Sequence, residues 1–202
     1  MIKQLCLLIL LVSTITAVSA QKISLTGFGG YTFRDRVDFA NGYFGYLNDG
    51  GHWGASIEAI NRAGRGIDLT YNQQNTTAPV YNNFGQLINP NNQNITISYL
   101  TLGLVEYFPV NQVVSPYGGF GMGIGIVGGA TSATRFAWDI KGGLKVKASR
   151  IIGIKLQAQL ASIVQGGGAG FYFGTGGGGV SYATYSSVLQ FGFTGGLCFD
   201  LK

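Results

Sequence analysis

The sequence predicts an all-β protein, an eight-stranded antiparallel up-and-down barrel that crosses a membrane. Three observations predict it. The first is the end of the chain, residues 187–202. Leu189, Phe191, Phe193, Gly195, Leu197, Phe199 and Leu201 share one face of a strand, and Val188, Gln190, Gly192, Thr194, Gly196, Cys198 and Asp200 share the other, because successive strand side chains point to opposite faces. An ordinary strand is about 5–6 residues long, and this alternation runs more than twice that. The second is composition: 10% of the 202 residues are charged, 13% are aromatic and 34 are Gly. A soluble domain carries about 25% charged residues, so this chain is better suited to an outer surface that faces lipid. The third is the rhythm of long and short connections between strands.

Residues 1–20 read MIKQLCLLILLVSTITAVSA. Lys3 supplies a charged start, residues 5–12 an apolar centre, and Val18, Ser19 and Ala20 a small-residue cleavage site, the pattern of a secretory signal peptide. The apolar run is shorter than the roughly 20 residues a spanning helix needs. The expected organisation is therefore a signal peptide over 1–20 and one barrel domain over 21–202. Cys6 lies inside the signal, which leaves Cys198 alone and excludes an intrachain disulfide. The pI near 9.2 arises from 13 basic and 8 acidic residues scattered along the chain, which weighs against a nucleic-acid partner.

The first expected strand covers 23–33, with Ile23, Leu25, Gly27, Gly29, Tyr31 and Phe33 on one face. A polar and aromatic connection over 34–51 follows, ending in Asn48-Asp49-Gly50-Gly51 turn chemistry. The second strand, 52–60, sets Trp53, Ala55, Ile57 and Ala59 against Ser56 and Glu58. After a short turn at 61–66, the third, 67–72, alternates Ile67, Leu69 and Tyr71 with Asp68, Thr70 and Asn72. An Asn- and Gln-rich connection fills 73–93. The fourth strand, 94–108, changes parity. Ile95, Ile97 and Tyr99 share one face, but Leu100, Leu102 and Leu104 take the other. Either a bulge or apolar contacts on both sides would account for this.

Residues 109–116 form a turn. The fifth strand, 117–127, has Phe120, Met122, Ile124 and Ile126 on one face and Gly119, Gly121, Gly123 and Gly125 on the other. The glycine row is expected to make room for long side chains from other strands. The sixth, 136–147, sets Phe136, Trp138, Ile140, Leu144 and Val146 against Asp139, Lys141, Lys145 and Lys147. The seventh, 151–164, sets Ile152, Ile154, Leu156, Ala158 and Leu160 against Lys155, Gln157 and Gln159. A Gly-rich loop over 165–186 leads to the closing strand. Connections thus run long, short, long, short, medium, short, long. Outer-membrane barrels have even strand counts, short periplasmic turns and longer outside loops, whereas a secreted β-sandwich has no reason for this rhythm. Tyr31, Phe33, Trp53, Tyr107, Phe108, Phe136, Trp138 and Phe199 lie toward strand ends, where an aromatic girdle belongs.

The runs YLTLGLVEYFP at 99–109, SPYGGFGMGIG at 115–125 and the terminal FGFTGGLCFDL resemble those of the small eight-stranded outer-membrane β-barrel family, the OmpA/OmpX-like barrels and porin-family proteins with an outer membrane protein beta-barrel domain. The resemblance implies residence in the bacterial outer membrane of a Gram-negative cell, contact with outer-membrane lipid, and recognition of the last strand by the barrel-assembly machinery. The chain departs from the family in ending Phe199-Asp200-Leu201-Lys202 rather than on an aromatic residue. The family has no shared catalytic residues to carry over.

An eight-stranded barrel is just wide enough for its own side chains. Glu58, Asp68, Asp139, Lys141, Lys145, Lys155, Gln157, Gln159 and Gln190 all fall on inward parities, and both signs are present. They are expected to form a lumenal polar network that stabilises the barrel; a narrow ion or small-solute channel is the alternative. His52, the only histidine, shares a face with Ser56 and Glu58, which raises a lipid-modifying barrel enzyme as a further alternative. Residues i and i+4 on a strand are about 13 Å apart, so His52 and Ser56 cannot touch, and no enzyme is expected. One mature Cys and one His weigh against a zinc site, and no cofactor is expected. The run GGGAGFYFGTGGGG at 166–179 lacks the Lys-Ser/Thr ending of a phosphate loop. Its aromatics, with Tyr43, Phe44 and Tyr46, either meet a protein or glycan partner or pack on one another over the barrel mouth. A structural or interaction role is the function expected.

Overall fold

A computed structural model describes residues 22–38, 42–91, 94–129, 132–164, 169–174, 177–182 and 188–201. The expected signal peptide lies outside the described residues. The strands are β1 (Lys22–Thr32), β2 (Asp35–Asp38), β3 (Phe44–Leu47), β4 (Gly50–Ile60), β5 (Arg65–Thr77), β6 (Val80–Tyr81), β7 (Asn94–Tyr107), β8 (Val114–Gly128), β9 (Ala133–Lys147), β10 (Ile152–Ile163), β11 (Ala169–Gly174), β12 (Gly177–Tyr182) and β13 (Val188–Leu201). Eight of them close into an antiparallel barrel in the order β1-β13-β10-β9-β8-β7-β5-β4. Chain neighbours are barrel neighbours, and the ring closes where Gly27 pairs with Leu197 and Tyr31 with Phe193. Closure gives every strand two partners, the condition for a sheet to sit in lipid that offers no hydrogen bonds.

Alternation decides which side chains meet which solvent. Leu25, Ile57, Leu69, Leu102, Met122, Ile140, Leu156, Phe193 and Leu197 are exposed on the outside, while Ser24, Thr26, Glu58, Asp68, Lys145 and Lys155 are buried inside. This is the reverse of a water-soluble protein, and it makes the molecule a transmembrane barrel. Tyr31, Phe33, Phe191 and Phe193 pack edge-on and stacked across β1 and β13, with centroids 5.1–6.0 Å apart, and Trp53 packs on Tyr71 at 5.9 Å. These form one arc of a girdle. Tyr107 does not join it: it is buried in the lumen, because the parity that sends Leu100, Leu102 and Leu104 outward sends Tyr107 inward.

The change of parity in the fourth expected strand is not a bulge. β7 pairs without interruption, from Arg65↔Glu106 to Thr77↔Asn94 with β5 and from Thr96↔Gly128 to Tyr107↔Tyr117 with β8. Ile97, Tyr99, Val105 and Tyr107 point into the barrel and the leucines point out, so the strand is apolar on both faces. The third expected strand is longer than its sequence pattern. Gln73 to Thr77, expected as loop, continues β5 in register with β7, since backbone pairing beyond the membrane needs no apolar side chains.

The connection after β1 carries β2 and β3, and β3 pairs in turn with β6 through Phe44↔Tyr81 and Gly45↔Val80. The resulting small sheet covers the barrel mouth. Val37 and Leu47 on its inner face join Ile97, Tyr99, Ala137, Ala161, Ile163 and Val188 in one buried apolar cluster. The Gly-rich loop holds an antiparallel hairpin of β11 and β12.

Candidate functional site

Among the described residues buried charge concentrates in the lumen, and strand register sets its layout. Asp200 pairs with Ser24, Ser24 with Glu58, Glu58 with Asp68, Asp68 with Gly103, Gly103 with Gly121 and Gly121 with Asp139. Four carboxylates, one serine and two glycines thus form one row around the wall. Lys145 and Lys155 are themselves cross-strand partners. Like charges directly opposite are destabilising, and the barrel resolves this across its interior. Lys155 Nζ donates to Glu58, Lys141 Nζ to Asp68, and Lys145 Nζ to Asp200 at 2.7 Å and Ser24 Oγ at 3.0 Å. Lys141 also lies 3.5 Å from Asp139.

The amides extend the network toward the mouth. Tyr117 donates to Gln157 Oε1 at 2.9 Å, and Gln157 Nε2 donates to Gln159 Oε1 at 3.1 Å. Tyr99 donates to Gln190 Oε1 at 2.7 Å, and Gln190 Nε2 donates to Gln74 Oε1 at 2.8 Å. All nine expected residues therefore face the lumen in bonded groups. Sequence reasoning missed Asp200, Gln74 and the tyrosines. Tyr107 donates to Glu58 Oε2 at 2.6 Å, and Lys155 Nζ lies 4.4 Å from the centre of the Tyr117 ring. The parity of Asp200 is readable, but Gln74 falls in an expected loop and Tyr107 among the expected girdle residues.

Room for these long chains comes from glycine. A Cβ built on Gly121 would lie 2.6 Å from Asp139 Oδ2, one on Gly103 2.7 Å from Asp68 Oδ1, and one on Gly119 3.3 Å from Lys141 Cε. One on Gly125 would lie 2.7 Å from Ile163 Cγ1. The glycine row of β8 thus faces the lumen and makes space for side chains of β9 and β10.

Buried apolar clusters stand toward both ends of the lumen: the lid cluster at the mouth, and Ile60, Val105, Tyr107 and Tyr117 at the opposite end. Between them lie cavities of about 20 Å³, bordered by Thr26, Ser56, Thr70 and Lys141, and about 10 Å³, bordered by Asn72, Gln74 and Gln159. The larger has room for about one water molecule.

His52 is buried and its Nδ1 lies 2.8 Å from Thr32 Oγ1. Ser56 is buried four residues along the same inward face. No hydrogen bond joins them, and both face the lumen, away from lipid. Among the described residues, no three of His, Cys, Asp and Glu come together in a group able to hold a metal ion.

Outside the mouth, the outer face of the lid is aromatic and cationic. Phe44 and Tyr81 stack at 5.4 Å, and Tyr46 meets both edge-on. The guanidinium of Arg34 lies 3.6 Å over Tyr46, and that of Arg36 4.9 Å over Phe44. Of the expected aromatics, Phe44 and Tyr46 pack on each other and on Tyr81, with Arg34 and Arg36 over their rings.

The fold is that of the small outer-membrane barrels. The chain superposes on outer membrane protein OprG from Pseudomonas aeruginosa with a TM-score of 0.62 and 13% identity, covering 90% of this chain and 96% of that one. It superposes on Neisserial surface protein A with a TM-score of 0.58 and 9% identity, covering 88% and 96%. No family model matches the chain, and no curated protein sequence matches it.

Proposed function

We propose that this chain is an outer-membrane barrel whose lumen does not conduct and whose work is done by interaction at the surface loops. The observation that carries this reading is the side-chain-filled interior. Apolar clusters stand toward both ends, and Lys141, Lys145 and Lys155 are each bonded to a carboxylate. An ion would have to displace packed side chains and break buried pairs to pass. The reading includes export by residues 1–20 with cleavage after Ala20, and recognition of β13 by the barrel-assembly machinery. The buried, lumen-facing position of His52 supports a non-enzymatic role, since a lipid substrate would approach from the outside. The lid's Arg34, Arg36, Phe44, Tyr46 and Tyr81 are the surface offered to a protein or glycan partner.

Single-channel recording on the purified protein in planar bilayers tests this. The expected record is silent at about 100 mV, a field that supplies about 2.3 kcal/mol per elementary charge. Reproducible conductance steps would overturn the reading in favour of a narrow channel.

A further inference from the structure

The charges of this barrel are divided by height. Toward the mouth, Arg34, Arg36 and Arg135 are matched in number by Asp35, Asp38 and Asp49. The lumenal lysines are paired with acids. The rim of short turns differs. Lys22, Arg62, Arg65, Lys147 and Arg150 stand there, and among the described residues the acids at that rim are Glu106 and Asp200. Glu106 bonds Arg65 at 2.8 Å, and Asp200 bonds Lys22 at 2.5 Å while buried against Lys145. Five cations against two acids leave the rim with an excess of positive charge, and Arg62, Lys147 and Arg150 are exposed.

A second feature marks the same rim. Phe108, Val110 and Val113, in the turn between β7 and β8, are exposed, as is Ile151 beside β10. The order of strands places that apolar turn between the two basic ones, Arg62 and Arg65 on one side and Lys147 and Arg150 on the other. Turns standing free in water are built from polar residues. Apolar tips beside Lys and Arg suit the boundary where acyl chains give way to headgroups. The apolar belt holds the rim at that height, and short turns mark the periplasmic side.

We propose that this rim is a binding surface for anionic phospholipid headgroups of the periplasmic leaflet. Each basic turn offers Arg or Lys donors to a phosphodiester, and the apolar turn between them seats beside the acyl chains. A lipid with net negative charge is held in preference to a zwitterionic one.

The test is lipid selection by the purified barrel in phosphatidylcholine bilayers, read with spin-labelled phosphatidylglycerol against spin-labelled phosphatidylcholine. At low salt the protein is expected to retain phosphatidylglycerol about threefold over phosphatidylcholine, as basic residues near a headgroup layer do. The preference should fall toward unity in about 0.5 M NaCl, because exposed charges are screened. It should also fall in the Arg62→Ser/Lys147→Ser/Arg150→Ser variant, with folding checked by the gel shift on boiling, and persist in Arg34→Ser/Arg135→Ser at the other rim. Lys147→Ser alone should show a partial loss and keeps the test decisive if the triple variant does not fold. Equal retention of both lipids by the native chain, or an unchanged preference in the rim variants, would overturn the proposal whatever the lumen conducts.

Discussion

At the scale of single residues, the lumen is governed by the cost of stranding a charge. Glu58 accepts from Lys155 and Tyr107, and both ionised partners are buried. Removing one member of a buried pair is far costlier than replacing both by neutral groups of similar size. Lys155→Met is therefore expected to lower unfolding free energy by about 3–5 kcal/mol, and Lys155→Met/Glu58→Gln to recover most of that loss. Urea titration of the protein in lipid vesicles gives both values, and an undiminished loss in the double variant would refute the argument. Glycine obeys a second rule at this scale. At Gly121 an added methyl meets the far end of the Asp139 side chain, whereas at Gly123 it runs into the Leu100 carbonyl oxygen and lies 2.8 Å from Thr101 Cα. A carboxylate can swing away and a paired strand cannot. Gly123→Ala should cost more than Gly121→Ala, by about 1–3 kcal/mol as overpacking does, and equal costs in the same titration would contradict it.

At the scale of elements, parity is the controlling variable, and it explains what could be read from sequence. β4, β9, β10 and β13 alternate apolar against polar, and their outward and inward sets were legible without coordinates. β7 was ambiguous because its inner face carries Ile97, Tyr99, Val105 and Tyr107, residues that plug the barrel ends and so blur the alternation. Gln74 was illegible because its stretch of β5 lies among Asn, Gln and Thr, where pairing with Ile97 is fixed by the neighbouring strand rather than by local pattern. The β2-β3-β6 sheet joins segments more than thirty residues apart, a contact no local period announces. Leu102 tests the outward assignment. It sits in register with Leu69 and Met122 on the outside. Leu102→Arg is expected to cost about 2–4 kcal/mol, the penalty of a cation on the lipid face near the midplane. Val110→Arg, at a turn tip 73% exposed, should cost about 0–1 kcal/mol, the value near the interfaces. Comparable costs for the two would mean that Leu102 does not face lipid.

At the scale of the whole molecule, stability rests on closure. A water-soluble sheet can leave an edge to solvent, but in lipid an unpaired edge costs several kcal/mol per backbone group, so seven paired strands are far less than seven-eighths of a barrel. The last strand carries this burden, because β13 joins the start of the chain to the rest: Phe193 pairs with Tyr31 on one side and with Ala158 on the other. Phe193 is also exposed to lipid and packs against Phe33 and Phe191, so its side chain and its backbone can be tested apart. Phe193→Leu keeps the backbone donor and an apolar lipid face; it should leave the protein folded, with the shift in gel mobility on boiling intact. Phe193→Pro removes the donor and places a ring in the middle of a strand paired on both sides, where proline is not tolerated. The lost ladder hydrogen bond is compounded by opening the seam beside it. The expected result is loss of the compact, boil-sensitive band for Phe193→Pro and its retention for Phe193→Leu. A proline variant that kept the band would show that the ring can close without continuous pairing along β13.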